Sequence, residues 1–107
     1  MSNLAEFTDD NFQTEVLESE QPVLVDFWGP RCQPCLRMLP MIEQLAADNA
    51  GSIKIGKLNT DENIGTAQQF AIFTIPSLLI FKGGEEVARF GPVPMEKLQQ
   101  ALDDVKG

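Results

Sequence analysis

Apolar positions along the chain follow two periods, and the switches between them cut it into segments. "EFTDDNFQTEVLES" spaces Phe12, Val16 and Leu17 as one helical stripe, with Thr8 as its N-cap and Asp9 and Asp10 favouring the positive helix start. "PVLVDFW", Pro22 to Trp28, is an almost unbroken apolar run, the pattern of a strand buried on both faces. A helical period returns from about Pro34 to Asn49, with Leu39, Ile42, Leu45 and Ala46 on one side and Pro40 predicting a kink. "SIKIGKL", Ser52 to Leu58, reads as a second strand, so strand, helix and strand form a parallel, right-handed βαβ unit. "ENIGTAQQFA" is a weaker helix with Ile64, Ala67 and Phe70 or Ala71 inward. "SLLIF" and "EVARF" flank Gly83-Gly84, a hairpin signal. The last helix, from about Pro94, repeats apolar residues at Leu98, Ala101, Leu102 and Val105. The sum is an α/β fold, a small mixed sheet with helices on both faces.

Length and charge narrow the function classes. A chain of 107 residues without internal repeat or linker is expected to be one domain, residues 1–107. Sixteen acidic against eight basic residues give a net charge of −8, which offers no basic face for nucleic acid or an anionic membrane. The start, "MSNLAEFTDD", lacks the basic-then-apolar pattern of a secretory signal, and no apolar run approaches the roughly 20 residues of a membrane span. A cytoplasmic protein is expected, and its small size favours a monomer.

The two cysteines, Cys32 and Cys35 in "RCQPCL", fall where the central strand hands over to the long helix. As a static staple a bridge here does little: closing a loop of about four residues gives roughly 2 kcal/mol, against about 3 for fifteen. Residues three apart on a helix hold their Cβ atoms about 5–6 Å apart, where a disulfide wants about 3.5–4.5 Å. A tightened first turn lets the bond form without favouring it deeply, the geometry of a bond that opens and closes. A thiol at a helix start faces unpaired N–H groups and the positive end of the macrodipole, which makes it more acidic, and Arg31 adds a cation. This assigns Cys32 as nucleophile and Cys35, one turn inside, as the resolving thiol. A structural zinc site needs four ligands, and two cysteines with no histidine supply half of them, so no metal is expected.

Two charges stand out of place. Asp26 lies between Val25 and Phe27 in a strand with no polar face, so it needs a partner or a raised pKa. Lys57 has the parity of Ile53 and Ile55 in the next strand. Either it meets Asp26 across the pair of strands, or it snorkels out at a strand end. In the functional reading Asp26 is a buried base that takes a proton from the resolving thiol, tuned by Lys57.

These residues together resemble the thioredoxin family. The match runs in order through "VDFW", "CQPC", Pro40, "KLNTDEN", "TIPSLLIF", the Gly83-Gly84 hairpin and Phe90-Gly91. The resemblance implies a thioredoxin fold: a central mixed sheet of about five strands, parallel in its first three, flanked by four helices. It implies thiol–disulfide exchange by Cys32 and Cys35 with no bound cofactor, and it favours the Asp26–Lys57 pairing over snorkelling. It implies a cis bond at Ile75-Pro76, which spacing alone would leave trans. Trp28, Pro34, Ile75, Pro76 and Gly91 match the substrate groove, where a partner's extended segment pairs with backbone. For Trp28, packing at the strand end is the simpler alternative.

The segment "RCQPCL" departs from the family's usual W-C-G-P-C-K. Arg31 replaces a flat apolar docking surface with a cation, Gln33 adds bulk where partners approach, and Leu36 removes a lysine. The reading is a protein-disulfide reductase with disulfide-containing protein substrates and a thioredoxin-reductase-type electron donor. Its rivals are a more oxidising oxidase or isomerase, and a peptide-binding module whose thiols are incidental.

Overall fold

The computed structural model describes residues 4–106. Its five strands are β1 (Ala5–Phe7), β2 (Val23–Trp28), β3 (Lys54–Asn59), β4 (Ser77–Lys82) and β5 (Glu85–Phe90). They form one sheet in the order β1-β3-β2-β4-β5. The β1–β3 and β2–β3 pairs are parallel, and β2–β4 and β4–β5 are antiparallel. The helices are a π-helical segment Gln13–Leu17, α1 (Gln33–Asp48), α2 (Ile64–Gln69) and α3 (Met95–Lys106). This is the mixed α/β sheet with four helices that the sequence predicts. Among the described residues no helix is long and apolar enough to cross a membrane.

Strand β2 is central, and its alternating side chains build two cores. Leu24 joins Ile42 and Leu45 of α1, Ile55, Leu78, and Leu98 and Leu102 of α3 on one face. Val23, Val25 and Phe27 join Phe7, Phe12, Val16, Leu58, Leu79 and Phe81 on the other. The aromatic rings there meet mostly edge to face, Phe12 with Phe81 at 5.6 Å and Phe70 with Phe81 at 5.1 Å between centroids. Asn49, buried just past α1, exchanges two amide hydrogen bonds with Gln99 of α3 at 3.0 and 3.2 Å, tying these helices together.

Four local readings need correction. Residues 5–7 are a strand beside β3 that the sequence pattern does not predict, since the segment from Glu6 reads as a helix capped at Thr8. Thr8 caps a turn, its Oγ1 accepting from the Asn11 N–H, while the helical segment itself begins later, after Phe12. Asp9 serves another helix: its carboxylate accepts from the Thr66 N–H at 2.8 Å and the Thr66 hydroxyl at 2.7 Å, at the start of α2. Those bonds hold its carboxyl below the usual range. Ile64, expected inward, is 58% exposed, because Asn63 and Thr66 take the buried side of that short helix. Pro40 lies within α1, which continues through it to Asp48.

At the hairpin Gly83 and Gly84 both have positive φ, 62° and 83°, as a two-residue loop between antiparallel strands requires. Gly56 answers a different need: a Cβ there would lie 2.6 Å from the Ala5 carbonyl oxygen, so β1 approaches β3 only over a glycine.

Candidate active site

Cys32 is the N-cap of α1, with extended backbone (φ −93°, ψ 103°), and Cys35 is the third residue of the helix. The two are joined by a disulfide with Cα atoms 5.2 Å apart. Because Cys32 stands just outside the helix, the pair escapes the wider spacing of two helical residues. Its Sγ occupies the place of a capping oxygen and accepts from the Cys35 N–H at 3.2 Å. Pro34, in the first turn, costs no hydrogen bond, since its N–H would have no partner within the helix. Cys35 is fully buried and Cys32 is half-buried.

The Ile75-Pro76 bond is cis, and the Ile75 carbonyl oxygen lies 3.8 Å from Cys32 Sγ. Ile75 also approaches Gly29, where a Cβ would come within 3.1 Å of its Cδ1. Gly29 therefore lets the chain ahead of Cys32 fit against this loop, a role that spacing gave no sign of. Pro76 is buried, and Arg31, Gln33 and Pro34 are exposed around the disulfide. Gly91 is exposed one position beyond the Leu78–Phe90 pair, so it follows the edge strand on the side of the cis bond.

Asp26 pairs in register with Lys57 on one side and Leu78 on the other. Strand alternation turns its side chain to the Leu24 face, which α1 covers. Both carboxylate oxygens are buried without a hydrogen bond. Burial raises the carboxyl to about 7, with the Lys57 charge pulling the other way. The Lys57 ammonium lies 4.8 Å from the centre of the Trp28 ring, a cation–π contact. The strand position of Lys57 is opposite Asp26, while its head group lies over the half-buried tryptophan.

Among the described residues no group of three or more metal-ligating side chains comes together. What the cysteine pair can do is exchange a disulfide, with one cysteine half-buried beside a backbone carbonyl and the other enclosed.

The family model for thioredoxin matches residues 3–104. The chain is 48% identical to Thioredoxin 1 of Nostoc sp. over 104 residues, 96% of this chain and 97% of that protein. It is 48% identical to the thioredoxin of Chlorobaculum thiosulfatiphilum over 100 residues, 92% of this chain and 93% of the other. Against the chloroplastic Thioredoxin M4 of Arabidopsis thaliana the identity is 46% over 97 residues, 90% of this chain and 50% of that protein. With that likeness running almost end to end over a sheet that sets a disulfide at the start of α1, the chain belongs to the thioredoxin family and is a thiol–disulfide oxidoreductase of the thioredoxin type.

Proposed function

We propose that the protein reduces protein disulfides, with Cys32 as nucleophile and Cys35 as resolving thiol. The observation that carries this reading is the unequal burial of the two cysteines, Cys32 half-buried at the helix boundary and Cys35 fully enclosed. The Cys32 thiolate attacks one sulfur of a substrate disulfide, forming a mixed disulfide and expelling the substrate's other sulfur as a thiolate. Cys35 then gives up its proton and attacks Cys32 Sγ, which closes the Cys32–Cys35 bond and releases the second substrate sulfur. Two electrons pass from the dithiol to the substrate, so the protein itself needs no bound cofactor.

Asp26 is the proposed acceptor of the Cys35 proton. It lies on the sheet face that α1 covers, and a carboxyl raised to about 7 exchanges protons near neutral pH. Lys57 keeps that value from rising further. The Ile75 carbonyl beside Cys32 offers an acceptor to an extended substrate segment, and Trp28, Arg31, Gln33, Pro34, Pro76 and Gly91 are the side chains and backbone proposed to meet that segment. A reductase of the thioredoxin-reductase type would restore the dithiol, and a reducing compartment such as the cytoplasm suits this direction. The functional unit is the single domain 1–107, acting as a monomer.

A Cys35→Ser variant tests the assignment. It is expected to accumulate mixed disulfides through Cys32 when mixed with oxidised insulin-type substrates, and Cys32→Ser to form none. Mixed disulfides on Cys35 in a Cys32→Ser variant, at the rate of the first variant, would reverse the roles.

A further inference from the structure

Phe73 is 90% exposed, the most exposed large apolar side chain among the described residues, and it stands two residues before Ile75. Its loop is fixed on both sides. The α2 helix ends in a two-bond cap, with the Ile72 N–H donating to Ala67 O at 2.9 Å and the Ala71 N–H to Gln68 O at 3.1 Å. That cap places Ala71 in the left-handed region at φ 54°, a position glycine usually fills. Arg89, from the edge strand, donates to Phe70 O at 2.7 Å and to Ala71 O at 3.3 Å. Glu86 grips the same guanidinium through both carboxylate oxygens, at 2.7 and 2.8 Å. Ile72 and Ile75 pack on the aromatic core, and the Ser77 hydroxyl donates to Thr74 O at 2.7 Å.

An aromatic ring left in water at the end of a loose loop would mean little. This ring is held in water by a loop that is anchored before and after it, and that loop carries the carbonyl lying 3.8 Å from Cys32 Sγ. Two residues of chain reach at most about 7 Å, so the Phe73 backbone lies within that distance of the Ile75 backbone. A pre-ordered aromatic side chain gives contact area at low cost in ordering, the property of residues that dominate protein interfaces. Arg31, exposed immediately before Cys32, ends in a charged head group.

We propose that Phe73 is a specificity-determining residue of the exchange reaction: it receives an apolar side chain that flanks the reactive cysteine in an extended segment of the protein substrate. This rests on the disulfide-reducing function proposed above. The occupant is a disulfide-bearing polypeptide rather than a free small disulfide, because only a polypeptide reaches from Cys32 to a side chain outside the pair. Binding there adds to substrate capture and leaves the sulfur chemistry unchanged, so it acts on KM.

The test uses two synthetic disulfide-linked peptides that differ only in Leu or Ser beside the cysteine, with bis(2-hydroxyethyl) disulfide as a small reference. The unaltered protein is expected to prefer the Leu peptide by about tenfold in kcat/KM, through KM. In Phe73→Ser that preference disappears, in Phe73→Leu most of it remains, and reduction of the small disulfide is the same in all three. Absence of a preference in the unaltered protein, its persistence in Phe73→Ser, or an equal loss on all three substrates would overturn the proposal. An unaltered protein that reduces none of the three would instead show that the underlying reductase function is wrong.

Discussion

Asp26 is the residue whose environment departs furthest from its ordinary chemistry. Its neighbours on the strand are Val25 and Phe27, its cross-strand partner on β4 is Leu78, and neither carboxylate oxygen has a hydrogen bond. Burial raises its carboxyl from 3.8 to about 7 in the folded protein. Between those values the folded chain keeps a proton that the unfolded chain has lost. The contribution of Asp26 to stability is therefore complete below about pH 4 and is lost as pH rises through about 7. At about 1.4 kcal/mol per pH unit, the loss is on the order of 4 kcal/mol. Denaturant unfolding of the protein and of Asp26→Ala should show a difference in stability that grows with pH across this window in favour of the variant. Parallel curves would mean that the carboxyl is not perturbed. Lys57 acts in the opposite direction to burial, so Lys57→Met is expected to move the Asp26 titration upward, as followed by the carboxyl carbon signal in NMR. Part of this was legible in the sequence. An aspartate in an apolar run and a lysine with inward parity one strand away leave pairing and snorkelling both open, and the family resemblance favours the Asp26–Lys57 register that forms. The placement of the lysine head over Trp28 was not legible, since it depends on the rotamer of a long side chain with two available partners.

At the scale of elements, the sequence pattern predicts β2 to β5 and α1 to α3, and what it misses is β1 and the late start of the first helical segment. Strand β2 and helices α1 and α3 declare themselves by uninterrupted apolar runs or repeated stripes. The three residues of β1 carry too little pattern to be told from the polar turn after them, and only pairing with β3 makes them a strand. Contacts between residues far apart in sequence were equally invisible. Asp9 bonds the start of α2 more than 50 positions away, and Arg89 bonds its end from 18 and 19 positions away. Within the site, the two cysteines and the position after which α1 begins were legible, whereas Gly29, Phe73 and the Glu86–Arg89 clamp were not. One consequence can be measured at the α2 terminus. Ala71 carries a Cβ in a left-handed conformation, which costs about 1–2 kcal/mol, partly offset by its smaller entropy in the unfolded chain. Ala71→Gly is expected to raise stability by about 1 kcal/mol in denaturant unfolding. A decrease would show that the loop needs the methyl group more than the freedom.

Across the whole molecule, the crossover connections of the sheet bring the parts of the site together. Strand β2 lies between β3 and β4, so it receives Lys57 from one side and the strand that follows the cis Ile75-Pro76 bond from the other. Its C-terminal end delivers the chain to Cys32, the cap of the helix that covers Asp26's face. The same arrangement makes the two sulfurs unequal: Cys32 at the helix boundary against Ile75, Cys35 one turn inside and fully enclosed. That inequality is what the exchange mechanism depends on. It is tested most directly by treating the fully reduced protein at neutral pH with one equivalent of iodoacetamide and locating the label by peptide mass spectrometry. The expected result is modification of Cys32 with Cys35 left free, and label divided evenly between the two, or found first on Cys35, would contradict the account.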